Sequence, residues 1–205
     1  MATRPVDYNT DTELSSVNAI LAAIGTAPIT SLDFANPEVA LAHGLLLECS
    51  IDVQSEGWVF NTENQYPFPP NEDNEIYIPM NITRLDISDG QVYRDCDVVK
   101  RGDRLYNKLD HTFKFPNTLY CDVNWLFDFG DLPIVFQRYI TFKAAGRAAA
   151  QLMMDKEQVQ LLVSQESFAR ASCMEYECNQ GDYTFFGTPP GTVYQPYQPY
   201  RTLAR

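Results

Sequence analysis

The sequence predicts an α+β protein: a four-helix bundle formed by an N-terminal and a C-terminal helix pair, with an inserted antiparallel β domain and an extended C-terminal arm. Three observations carry this expectation. Apolar residues recur at three- and four-residue spacing within 12–57 and again within 132–180. Between them, residues 58–128 alternate apolar and polar residues and are broken by proline and turn residues. From Gly181 onward neither period survives. The implied division is 1–57 with 129–180 for the bundle, 58–128 for the insertion and 181–205 for the arm.

The first helix lies in TDTELSSVNAILAAIGTAP. Asp11 or Thr12 is placed to cap it, Leu14, Val17, Leu21 and Ile24 form its apolar face, and Gly25 and Pro28 end it. The second lies in ANPEVALAHGLLLECSIDVQSEGW. Asn36 is at the N-cap, Pro37 at the first helical position and Glu38 in the first turn, where the helix dipole favours an acid. Its stripe is Val39, Ala42, Leu45 or Leu46, Cys49 and Val53, and Gly57 terminates it.

Seven short β-prone runs follow: WVFN, IYIP, ITRLDIS, QVYRDCDVV, DRLYN, HTFKF and TLYCDVNWLF. Their alternation, clearest in Leu119, Cys121, Val123, Trp125 and Phe127, argues for an antiparallel sheet or small barrel. A second alternation sets Ile82, Arg84 and Asp86 against Thr83, Leu85 and Ile87. Helices return near Leu132, with Leu132, Val135 or Phe136, Tyr139, Phe142, Ala145, Ala149 and Leu152 on one face. The small-residue run Ala144 to Ala150 permits close approach of another helix. The last helix has Asp155 and Gln158 as a capping pair and Val159, Leu162, Ala169, Cys173 and Tyr176 as its face.

Composition narrows the function. The chain has 205 residues, 45% of them hydrophobic, enough to bury a core. With 27 acidic against 15 basic residues the net charge is −12, which repels nucleic-acid phosphate and anionic lipid. The start, MATRPVDYNTDTE, lacks the apolar segment of a secretory signal, and no run approaches the length of a membrane span. Five scattered cysteines suggest reduced thiols in a cytosol-made protein.

The residues offer no catalytic or metal constellation, and no cofactor is expected. His43 and His111 have no nucleophile turn to serve. Cys173 and Cys178, five apart, lie about 140° apart around a helix, and no second pair accompanies them. Asp128 and Asp131 flank Gly130 in DFGD, which reads as the turn before the third helix with Asp131 as its N-cap. Lys100, Arg101 and Arg104 in KRGDR, diluted by Asp97 and Asp103, read as a solvated hairpin turn. Carboxylate pairs such as Asp86/Asp89 or Glu72/Glu75 could serve a glycan-degrading enzyme as acid and base, but resemble polar loops elsewhere.

Three stretches carry a family resemblance. ELSSVNAILAAIGTAPITSLD has a Val-Asn-x-Ile-Leu core and an Ile-Gly-x-x-Pro exit; SIDVQSEGWVFNTE runs from a helix ending in Gly into a Trp-x-Phe-Asn strand; ASCMEYECNQGDY ends the last helix. Together, and in this order, they resemble tail tubular protein A of short-tailed bacteriophages. The resemblance implies a structural virion protein, the head-to-tail adaptor. It implies a dodecameric ring that binds the portal protein, carries the tail nozzle protein (tail tubular protein B) and helps seat the tail fibres. DNA would pass through the ring without sequence-specific binding, and the protein would reside in the virion tail after assembly in the host cytoplasm. An acidic lumen would let the duplex slide. The alternatives are a tail-associated glycan- or wall-degrading enzyme and a binding module outside the virion.

The chain closes with VYQPYQPYRTLAR, a pattern outside that resemblance. In polyproline II, with about 3 residues per turn, Tyr194, Tyr197 and Tyr200 would share one edge while Pro196 and Pro199 hold the backbone extended. These residues, with Arg201, are the predicted partner-binding set, placed to dock on the portal or a neighbouring subunit.

Overall fold

The computed structural model of the protein describes residues 12–88, 96–152 and 156–181. These residues fold as an α+β protein with four α-helices and two antiparallel sheets among them. Two compact units divide these residues: one within 12–53 and 127–177, the other within 54–126 and from 178 onward.

The first unit holds helices α1 (Glu13–Ala23), α3 (Ile134–Leu152), nearly all of α2 (Pro37–Ser55) and most of α4 (Lys156–Gln180). Thr12 caps α1, its side chain accepting from Ser15 N. At the other end Gly25 takes φ +77°, and its N–H bonds Ala22 O while Thr26 N–H bonds Leu21 O. That pair of bonds is a Schellman cap and explains the Ile-Gly exit. The Val-Asn-x-Ile-Leu motif is equally physical. Val17, Ile20 and Leu21 are fully buried, while Asn18 donates to Ile29 O and accepts from Ile29 N, pinning the loop beyond the helix. Leu14 and Ile24, expected on the apolar face, are half-buried, and Ile20 takes the centre.

For α2 the predicted cap and stripe are both present. Asn36 Oδ1 accepts from Glu38 N, and Val39, Ala42, Leu45, Leu46, Cys49 and Val53 are buried. The start of α3 differs from expectation. Asp131 ends a short 3-10 turn, Phe129–Asp131, and the first helical N–H groups, of Phe136 and Gln137, bond Pro133 O instead. Proline at that place supplies a carbonyl without needing a donor of its own, so Asp131 is no cap. Along α3, Phe136, Tyr139, Ile140, Ala144, Ala145, Ala148 and Ala149 are buried, whereas Leu152 is exposed. The Asp155 half of the predicted cap of α4 lies outside the described residues; Gln158 donates instead to Ala23 O, one of the carbonyls at the end of α1.

Helix α4 packs antiparallel to α3: Cys173 meets Val135 O, Tyr176 stacks edge-on with Phe136, and Arg170 donates to Tyr139 Oη. Ser16 and Thr141 hydroxyls lie 3.0 Å apart between α1 and α3. Of α4's 25 residues only Leu162 and Cys173 are buried.

The second unit contains strands β1 (Thr62–Phe68), β2 (Ile82–Ile87), β3 (Val98–Arg101), β4 (Arg104–Asn107) and β5 (Leu119–Trp125). They form a three-stranded sheet in the order β1-β5-β2 and a β3-β4 hairpin. WVFN is not a strand, since Val59–Asn61 is a 3-10 turn and the strand starts at Thr62. IYIP and HTFKF make isolated bridges only. Pro67 is accepted within β1 because that strand is at the sheet edge, where a missing N–H costs no ladder bond. The register shift between Ile82 and Arg84 reverses the phase of β2. That is why Ile82 is buried although its predicted face-mates Arg84 and Asp86 are exposed, and why Leu85 and Ile87 join the core. Phe68, Ile76, Leu105, Phe115, Leu119 and Val123 are prominent members of that core.

Candidate interaction surface

The residues with conventional catalytic potential are dispersed or already engaged. His43 lies edge-on to Phe34 with its Nε2 3.9 Å from Glu13, and His111 Nδ1 is 3.5 Å from Tyr106 Oη. Glu75 accepts two bonds from Arg104, at 3.0 and 3.2 Å, and Glu72 is exposed. Asp86 accepts from Ile87 N, while Asp89 lies outside the described residues. Among the described residues no group of three or more His, Cys, Asp or Glu could hold a metal ion. The cysteines are thiols, none in a disulfide: Cys49, Cys121 and Cys173 are buried, Cys96 half-buried and Cys178 exposed. Burial pushes the Cys49 thiol up to about 11 and the Cys121 thiol up to about 12. No described helix is long and apolar enough to cross a membrane.

KRGDR forms the β3-β4 hairpin turn, with Gly102 at φ +66° as the first of two loop residues. Its charges are held in place. Lys100 donates to Pro79 O and Ile82 O; the Arg101 guanidinium lies 3.7 Å over the Tyr106 ring; Arg104 lies over Phe113 while bonding Glu75. The Glu75 bond raises the Arg104 pKa above its usual value. This ladder stiffens a solvated hairpin.

Apolar exposure is concentrated elsewhere. Of fourteen exposed large hydrophobic residues described, nine lie on α2, α3 and α4. On α4 these are Leu161, Val163, Phe168 and Met174, with Phe168 76% exposed. Leu161 and Phe168 are seven apart, about 20° from one another around the helix and about 10.5 Å apart along it. Between them the Ser164 hydroxyl is turned onto Leu161 O, at 2.6 Å, so it offers the stripe no free donor. On α2 the corresponding exposed residues are Leu41, Leu47 and Ile51. The three-four spacing assigns α4 the face through Leu162, Cys173 and Tyr176, and these residues fall off that stripe. Their number on one helix was the available signal. The predicted partner-binding set Tyr194, Pro196, Tyr197, Pro199, Tyr200 and Arg201 lies outside the described residues.

Apolar side chains are thus left uncovered on three helices of the first unit. The family model for tail tubular protein matches residues 14–183, most of the chain. The chain therefore belongs to the tail tubular protein family, structural components of the tail of short-tailed phages. No match was found among the curated proteins.

Proposed function

We propose that this tail protein is the head-to-tail adaptor: a dodecameric ring that binds the portal protein above and the tail nozzle protein below, supports tail-fibre attachment and lets DNA pass during ejection. The observation that carries the reading is the uncovered apolar surface of the helices, set on a chain of the tail tubular family. A ring subunit must bury two different lateral surfaces and make axial contacts besides, and uncovered apolar side chains are what such contacts would cover. In this reading residues 1–57 and 129–180 act as one four-helix bundle that packs laterally and meets the portal. The insertion, 58–128, faces nozzle and fibres, and the arm, 181–205, latches onto the portal or a neighbouring subunit. The net charge of −12 suits a channel lining that DNA does not grip. Assembly takes place in the host cytoplasm, and no turnover is required of the protein.

A cryo-EM map of the assembled tail tests the whole arrangement. The expected result is twelve copies directly beneath the portal, and mature particles free of this chain would overturn it. Portal binding by a chain lacking residues 189–205 tests the latch: weakened attachment is expected, and undiminished affinity removes it.

A further inference from the structure

We infer that the exposed stripe of α4 centred on Leu161 and Phe168 is the seat for the tyrosine-proline segment of a second copy of this chain. This deepens the reading of residues 181–205 as an arm, and rests on it.

Four observations join seat and occupant. The stripe has no cover: Leu161 is 60% and Phe168 76% exposed, and the Ser164 hydroxyl between them is spent on its own helix. Its repeat fits the segment. Tyr194, Tyr197 and Tyr200 recur every three residues, about 9 Å in polyproline II, against the roughly 10.5 Å between Leu161 and Phe168 along α4. Stiff proline-rich segments bind by laying such an edge against apolar and aromatic side chains. The reach suffices: 24 residues follow Gly181, about 75 Å at about 3.1 Å each, twice the ~37 Å length of α4. The charges also agree, since the segment has Arg201 and Arg205 against Asp182, whereas the charged residues within about 40° of the stripe around α4 are Glu157 and Glu175.

The segment departs after Gly181, beyond the C-terminal end of α4, whereas Leu161 lies about 30 Å back along the same helix. A second copy is the donor we assign because in a closed ring each seat is then filled by one neighbour; the segment's own helix is also within reach, and the isotope test separates the two.

The test is photo-cross-linking of the full chain with p-benzoylphenylalanine in place of Tyr197, in an equal mixture of unlabelled and nitrogen-15-labelled protein. The expected products join position 197 to residues 161–174, about half of them with the two peptides carrying different isotopes. Phe168→Glu, at a position exposed enough to leave the fold intact, should abolish them, and Leu161→Ser should reduce them several-fold; circular dichroism and urea midpoints verify folding. Products confined to one isotope, products on another surface, or an unchanged yield in Phe168→Glu each overturn the seat. Adding portal protein separates this inference from its premise. Cross-links to the portal alone remove the seat and keep the arm. No cross-link anywhere, with undiminished portal binding by a chain lacking 189–205, removes the arm itself.

Discussion

At the scale of single residues, two glycines show how differently the same backbone conformation can matter. Gly25 and Gly57 have φ +77° and +79°, where a side chain is strained. A Cβ at Gly25 would meet nothing within 4 Å, whereas one at Gly57 would stand 2.5 Å from Asn124 Nδ2. Gly25→Ala should cost about 1–2 kcal/mol, the backbone term alone, and Gly57→Ala about 1–3 kcal/mol more; urea midpoints at constant m-value check the order. Near Gly57, Asn61 accepts from Trp58 N and donates to Gln54 O and Trp125 O, so one amide holds the Trp-x-Phe-Asn stretch through three bonds. The thiols give a pH dependence. Burial raises Cys49 and Cys121 above the ordinary 9.0, so the folded state holds those protons more tightly than the unfolded chain. Their contribution is complete below about pH 9 and is lost as pH rises through about 11 and then 12. Stability measured by urea should therefore fall above pH 9, and less steeply in Cys49→Ala/Cys121→Ala. A thiol reagent at neutral pH should label Cys178 first, because it alone of the five is exposed.

At the scale of elements, α4 is anchored by few residues. Leu162→Ala should cost about 2–3 kcal/mol because that side chain is buried. Phe168→Ala, six residues on and exposed, should change stability by less than about 0.5 kcal/mol. Thermal or urea unfolding of the pair reads the contrast. The helices were legible because their capping residues and three-four spacing act locally: Asn36, Gly25 and the α2 stripe all do what the sequence says. The insertion was less so. Pro67 argues against a strand until the neighbour on only one side is known, and the irregularity after Ile82 inverts a pattern that strict alternation would assign to the wrong face. Pro133 rather than Asp131 starts α3 because a 3-10 turn uses the acidic residue first, and nothing local distinguishes the two. The stripe at Leu161 and Phe168 was visible as surplus apolar residues. Which side of a helix its neighbours cover is a tertiary fact, and sequence spacing does not contain it.

At the scale of the whole molecule, both units are tied by distant residues. Ser16 meets Thr141 and Asn61 meets Trp125, separations of 125 and 64 positions. In the three-stranded sheet β5 is central, yet it is the last strand in sequence, so β1 and β2 have no partner until it exists. On the ribosome this sets a schedule. Strands β1 and β2 emerge before the strand that pairs them, and α1 waits still longer for α3. Chains stopped at residue 118 should accumulate in the insoluble fraction, whereas full-length chains partition to the supernatant, as a fractionated expression gel would show. For this chain, holding chaperones are expected to matter during translation more than after it.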